Sequence, residues 1–295
     1  MRIARVDKRS GEDYRREIAF DIIERRSKTG GVMEYSLQQR AFAEVLGTAL
    51  LVLVGPGSVV ATLVLAGDSK PAITGADLLG ISFAFGLIIA ALVYSIGKVS
   101  GCHINPAVTF SLAVSKRFPW REVPVYWLSQ FVGAVIGAFA IWAVFAHGAI
   151  DLGMGQTSFN EDASTWGQAI FAEGIGTFML MFAILGIVDS RGPSEFAGLV
   201  IGGVVIAIIM IVGPITGASL NPARAFGPQL VSAFGDGATH WNQFIPVYLL
   251  PGFVGAALAA FVYDFLAEPR RVVRPIKDAV SHPDGVVTDQ VATTH

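Results

Sequence analysis

Long apolar runs separated by short polar punctuation organise this chain. Six of them, near 42–66, 77–97, 123–146, 166–188, 196–213 and 243–266, are strongly apolar. Crossing a hydrocarbon core of about 30 Å takes roughly 20 helical residues, so each is long enough to span, with the fifth borrowing residues at its ends. Two further apolar stretches, about 105–115 and 221–232, are too short to cross. The pattern predicts an all-α membrane protein with six transmembrane helices and two shorter helical pieces.

Composition agrees. Of 295 residues, 53% are hydrophobic and 15% charged, with 33 glycines. A soluble domain of this length would carry about a quarter charged residues, and abundant glycine suits close packing of membrane helices. Charge is concentrated at the ends, which divides the chain into a charged N-terminal tail over 1–40, an apolar domain over 41–266 and a tail over 267–295. The basic residues of the first tail alternate with acids, which argues against a nucleic-acid partner and for a solvated or interfacial segment. Within it, Ile18–Arg26 ("IAFDIIERR") reads equally as a short amphipathic surface helix or as a disordered stretch. The first 40 residues hold no apolar run of signal-peptide length, so the first span is expected to direct insertion. Lys98, Lys116, Arg117, Arg121 and Arg191 fall on the same side as both termini, whereas the long loop 147–165 carries acids and no Lys or Arg. Basic loops stay inside, so both termini are expected to be cytoplasmic in a multi-pass protein of the cell membrane. No Asn-x-Ser/Thr sequon occurs, which fits a prokaryotic plasma membrane.

The chain repeats itself. "AEVLGT" at Ala43–Thr48 returns as "AEGIGT" at Ala172–Thr177, "SGCHINPAVTF" at Ser100–Phe110 as "TGASLNPARAF" at Thr216–Phe226, and "FVGA" at Phe131–Ala134 again at Phe253–Ala256. Three landmarks in the same order define two halves, 41–146 and 166–266. Each half has three spans, an odd number, so the second enters from the opposite face. Such an inverted 3+3 repeat places a site near the bilayer centre.

The Asn-Pro-Ala triplets, Asn105, Pro106, Ala107 and Asn221, Pro222, Ala223, explain the short apolar stretches. Asn is a preferred helix N-cap and Pro is favoured at the next position, so each triplet starts a helix. About eleven residues make a rod of roughly 16 Å, half the hydrocarbon core. Two re-entrant half-helices inserted from opposite faces would meet start to start. Non-helical backbone survives at that depth only when buried in protein or lining a wet cavity. The loops Gly101, Cys102, His103 and Gly217, Ala218, Ser219 are expected to approach in extended form and offer a ladder of carbonyl acceptors, with the Asn amides as donors at the centre. Facing helix starts each carry about half a positive charge, a barrier to cations that lets neutral solutes pass. Arg224, in an apolar block and without an acid close in sequence, suits a pore constriction better than a buried ion pair.

Together the twin Asn-Pro-Ala triplets, the paired "AExxGT" openings, "SGCHINPAVT" and "NPARAFGP" resemble the major intrinsic protein family of aquaporins and aquaglyceroporins over about 41–266. The resemblance implies six spans and two half-helices, a homotetramer with one pore per subunit, and a selectivity constriction at Phe85, Ile209, Ala218 and Arg224. Strict water channels of the animal type put His at the Ile209 position and often Cys at that of Ala218. Glycerol facilitators typically have Trp, Gly and Phe in place of Phe85, Ile209 and Ala218. This chain follows neither pattern, nor do Ala225, Gln229 and Leu249 follow one subfamily. The ring is expected to be wider and more apolar than a water-only filter, and without the aromatic corner that cradles glycerol.

The expected function is a passive channel for water and small neutral solutes that excludes ions and protons. A glycerol facilitator is the alternative, and an ion-coupled secondary transporter a more distant one, since inverted repeats and broken helices serve those too. Glu44 and Glu173, at equivalent repeat positions, are expected to accept amide N–H bonds from the re-entrant loops, against a proton-relay role. His103 is expected to fix its loop rather than to gate. The lone cysteine, Cys102, excludes an intrachain disulfide, and the scattered histidines lack ligand spacing, so no metal, cofactor or enzymatic chemistry is expected.

Overall fold

The computed structural model describes residues 35–68 and 73–268. Ile18–Arg26 and all but the first residues of the C-terminal tail lie outside them. Helix α1 (Leu37–Ala66) opens on a reciprocal cap in which Ser36 and Gln39 satisfy each other's backbone amides. The same device opens α2 (Gly75–Ser100) at Thr74 and Asp77 and α5 (Trp166–Val188) at Thr165 and Gln168. Each cap satisfies two amides that the first turn leaves without intrahelical partners. Because of the Ser36 cap, α1 begins inside the stretch assigned from sequence to the charged tail. The remaining long helices are α4 (Val123–Phe145), α6 (Ala197–Thr216) and α8 (Leu250–Ala267), and the half-helices are α3 (Pro106–Val114) and α7 (Pro222–Phe234).

Six helical segments among the described residues are long and apolar enough to span, the last running Trp241–Ala267. After a first turn at Trp241–Gln243, the stretch Phe244–Leu249 is π-helical. Pro246 and Pro251 each lack the N–H that a regular α-turn would use, and the backbone between them widens. Large apolar side chains face outward along the spans, Phe171 at 70% exposed and Phe265 at 80% among them. In water that would be a liability; here it is the lipid-facing surface.

Packing follows the repeat. α1 lies on α4 as α5 lies on α8, α2 faces α6 across the pseudo-twofold axis, and each half-helix packs against the third span of the other half, α3 on α8 and α7 on α4. At the axis Gly86 and Gly202 bring the two backbones together. A Cβ on Gly86 would sit 2.6 Å from the Gly202 carbonyl oxygen, and one on Gly202 would overlap that of Gly86. Small residues permit this approach, which van der Waals contact between membrane helices requires.

Candidate functional site

Asn105 caps α3, its Oδ1 accepting the Ala107 N–H at 2.9 Å. Asn221 caps α7, accepting from Ala223 at 3.0 Å and Arg224 at 3.3 Å. With the oxygens so occupied, each carboxamide nitrogen turns to the opposite loop. Asn105 Nδ2 donates to the Leu220 carbonyl at 2.8 Å, and Asn221 Nδ2 donates to the Ile104 carbonyl at 2.8 Å. The two helix starts are thus joined by a reciprocal pair of hydrogen bonds. Both asparagines line one cavity of about 250 Å³.

The loops leading to these caps are not extended, as the sequence led us to expect. Gly101, Cys102 and Ile104 have φ of 87°, 50° and 43°, and Gly217, Ala218 and Leu220 have 78°, 46° and 55°. Left-handed conformations are costly for residues with a side chain and persist only where surroundings enforce them. The enforcing groups are two carboxylates. Glu44 accepts the His103 and Ile104 amides at 2.9 and 2.6 Å and the Ser100 hydroxyl at 2.7 Å. Glu173 accepts the Ser219 and Leu220 amides, both at 2.8 Å, and the Thr216 hydroxyl at 2.6 Å. Curling the loop aims consecutive amides at one carboxylate, which an extended strand with alternating amides could not do. Those donors are consumed there, and the Cys102 and Ala218 amides go to the Ser100 and Thr216 hydroxyls. Among the described residues no N–H or O–H donates to the carbonyls of Gly101, Cys102, His103, Gly217, Ala218 or Ser219. All of these except Gly217 line the cavity. Gly217 closes α6 with an αL cap onto Gly213, as Gly101 closes α2 onto Gly97, but lies outside the lining.

Phe85, Ile209, Ala218 and Arg224 line the same cavity. The Arg224 guanidinium lies 5.3 Å from the Phe85 ring centroid, and its Nη1 donates to the Gly155 carbonyl at 2.9 Å. No described carboxylate bonds to Arg224, and its Nε is buried without a protein partner. A buried arginine held by a carbonyl and an aromatic face keeps its charge uncompensated by an ion pair. Gly155 was not anticipated from the sequence. It has φ of 63°, and any Cβ there would collide with the Pro56 carbonyl, so only glycine can press this loop onto α1 and aim its carbonyl at Arg224.

Tyr126 was missed too, although the signal was present: it precedes its "FVGA" copy by the same interval as Tyr248. Tyr126 donates to the Ser100 carbonyl at 2.8 Å and Tyr248 to the Thr216 carbonyl at 3.0 Å, so each ties the end of a span to the start of a re-entrant loop. His103 places Nδ1 3.1 Å from Thr109 Oγ1 and packs against the rings of Phe118 and Tyr126, which also touch each other. Cys102 is a buried thiol beside it. No cluster of three metal-ligating side chains occurs among the described residues.

Toward the face that carries α1's start and α8's end lies a second cavity of about 420 Å³, which shares Leu112 and Val188 with the first and is flanked by Arg117 and Asp189. Arg117 pairs with Asp264 at 2.6 Å, and Asp189 with Arg191 at 2.6 Å. Hydrogen bonds from the Arg191 side chain and backbone, and from Tyr263, hold the Asp189 carboxyl well below the usual carboxylate range.

Residues 32–263 match the major intrinsic protein family. Aquaporin AqpM of Methanothermobacter marburgensis is 45% identical over 243 residues, 78% of this chain and 98% of that protein. The probable aquaporin AqpM of Archaeoglobus fulgidus is 45% identical over 247 residues, 80% of this chain and 100% of its own. The probable aquaporin NIP4-2 of Arabidopsis thaliana is 37% identical over 246 residues, covering 83% and 80%. Among solved structures, the aquaglyceroporin from Plasmodium falciparum superposes with a TM-score of 0.67 at 28% identity, over 79% of this chain and 97% of that one.

Proposed function

This chain belongs to the major intrinsic protein family, so it is a multi-pass membrane protein and a passive channel rather than an enzyme, and we propose that water is its main permeant, with a leak of small uncharged solutes. The observation that carries this is the crossed pair of bonds from Asn105 to Leu220 and from Asn221 to Ile104, made inside one cavity. It brings two helix starts, each worth about half a positive charge, to one point of the path. A cation arriving there meets repulsion and loses water that nothing anionic replaces, whereas a neutral solute exchanges one set of hydrogen bonds for another.

The unoccupied loop carbonyls on both sides supply acceptors, and each Asn amide retains a second hydrogen to donate. The Arg224 charge adds a cation barrier and a donor at the Phe85, Ile209, Ala218 ring. Ile209 and Ala218 make that ring apolar and roomy, which favours water with some solute passage over water alone. A glycerol facilitator is the second reading; the small Ala218 side chain favours it, and the lack of a second aromatic at the ring opposes it. We place both termini in the cytoplasm, on the basic loops, and four copies in the assembly, each with its own pore.

Osmotic swelling of reconstituted vesicles tests this directly. Water flux well above a lipid control, with glycerol flux smaller, is the expected result; glycerol flux far above the control would reverse the ranking. In an Ile209→His, Ala218→Cys double variant, water flux should persist and glycerol flux fall, because the ring is narrowed and made polar.

A further inference from the structure

The inverted repeat is an internal control for what each re-entrant loop requires. Glu173 holds the second loop with three hydrogen bonds, from Thr216, Ser219 and Leu220. Glu44 holds the first with the equivalent three, from Ser100, His103 and Ile104. It then takes a fourth, from Gln130 Nε2 at 2.8 Å. Gln130 Nε2 also reaches Thr109 Oγ1 at 3.0 Å, and Thr109 Oγ1 lies 3.1 Å from both His103 Nδ1 and the Asn105 carbonyl. The matching positions of the second repeat are Gly252, Ala225 and Ser219, which can form no such chain. The Ser219 hydroxyl turns onto the Asn221 carbonyl at 2.9 Å instead. The second loop takes the same curl without the chain, so holding the curl is not what the chain is for.

The tautomer of the imidazole turns on where Thr109 places its one hydrogen. Gln130 must point its NH₂ at Glu44, which only accepts, and its second N–H goes to Thr109. Thr109 has one hydrogen and two lone pairs. Gln130 donates to it, and the Asn105 carbonyl and His103 Nδ1 both lie 3.1 Å away; with the hydrogen on the carbonyl, the lone pair that remains faces His103 Nδ1, which then carries the proton. Nε2 is then a bare acceptor. It has no hydrogen-bond partner among the described residues, and His103 lines the cavity. The ring is held in place by Phe118 and Tyr126, each with its centroid 4.9 Å away.

We propose that His103 is a specificity-determining acceptor of the channel: Thr109 and Gln130 lock it as the Nδ1–H tautomer, and its Nε2 receives the O–H or N–H of a permeating neutral solute. The site lies on the α3 side of the asparagine pair, where much of the remaining side-chain wall is aliphatic, Val93, Val108, Leu112 and Ile184 included. It favours solutes that carry donors, such as water, polyols and amides, over neutral solutes that carry none. The inference rests on the channel function proposed above.

The test uses the full chain, labelled with ¹⁵N-histidine and reconstituted in lipid vesicles. The ring signals of His103 are identified by their loss in His103→Gln. The expected wild-type spectrum has a protonated Nδ1 and an unprotonated Nε2. Thr109→Val, close in shape but without the hydroxyl, should release the lock and populate the Nε2–H form. It should also lower glycerol permeability relative to that of dimethyl sulfoxide, which accepts hydrogen bonds but cannot donate, by about five-fold, the effect of exchanging roughly one hydrogen bond. A wild-type ring protonated at Nε2 overturns the proposal without any variant. So does an unchanged tautomer or an unchanged permeability ratio in Thr109→Val. Wild-type vesicles that pass no more water than lipid alone would instead refute the channel reading, and the spectrum would still decide the tautomer.

Discussion

Glu173→Gln tests the claim that a buried carboxylate shapes the second re-entrant loop. Glu173 is 1% exposed and accepts three hydrogen bonds, two of them from consecutive backbone amides, one on each oxygen. Hydrogen bonds to a charged group are each worth about 1.5–3 kcal/mol, against about 0.5–1.5 kcal/mol for neutral ones. Glutamine offers one oxygen. Its NH₂ must face either the Ser219 or the Leu220 amide, donor against donor, and a buried unpaired N–H costs about 1–3 kcal/mol. Removing a buried charge returns part of this, and the net loss is on the order of 3–5 kcal/mol. The left-handed Ala218 and Leu220 would then lose the group that enforces them. Thr216→Val leaves the Ser219 and Leu220 amides satisfied but removes the hydroxyl contact and the acceptor of the Ala218 amide, and should cost about 2–3 kcal/mol. The assay is thermal unfolding in detergent, followed by water flux in vesicles. Glu173→Gln should lower the apparent midpoint by about 5 °C or more and lose most flux, with Thr216→Val affected less. A Glu173→Gln protein within about 1 °C of wild type and with unchanged flux would refute the reasoning.

Three further outcomes are expected. Gly202→Val should cost more than about 3 kcal/mol and sharply reduce the yield of monodisperse protein on gel filtration, since any Cβ there collides with the Gly86 carbonyl. Arg224→Val should raise the rate at which vesicles dissipate a proton gradient while water flux continues, because the positive charge beside Phe85 is gone; an unchanged proton leak would show that the helix starts suffice. Asp189→Asn should lower thermal stability at pH 7 and equally at pH 5. The wild-type carboxyl is held below its ordinary range by Arg191 and Tyr263. Its stabilisation is therefore present above the unfolded value of about 4 and is lost only as the pH falls below that, toward the folded value. A wild-type advantage that already vanishes at pH 5 would contradict the assignment.

The residues that were legible in the sequence are those whose chemistry is local. Apolar length gave the spans to within a few residues, and Asn followed by Pro announced a helix start wherever it stood. Repetition then implied the inversion. The bounds that shifted did so at caps and breaks, as at Ser36 and Gln39, where two polar side chains extend α1 by a turn, and at Pro246 and Pro251, where a π-turn replaces a regular start.

What one-dimensional reading could not reach was direction. Whether a loop carbonyl is free depends on where its neighbours' amides go, and that was decided by Glu44 and Glu173 from another helix. The same holds for Gly155, whose value lies in being pressed against Pro56 so that its oxygen meets Arg224. Sequence alone determined that this chain spans a membrane six times and breaks two helices at its centre, because hydrophobic length and capping are properties of adjacent residues. Only the tertiary structure decided that the two breaks bond to each other and which acceptors remain for a solute, because hydrogen bonds between distant segments are set by the packing that brings them within 3 Å.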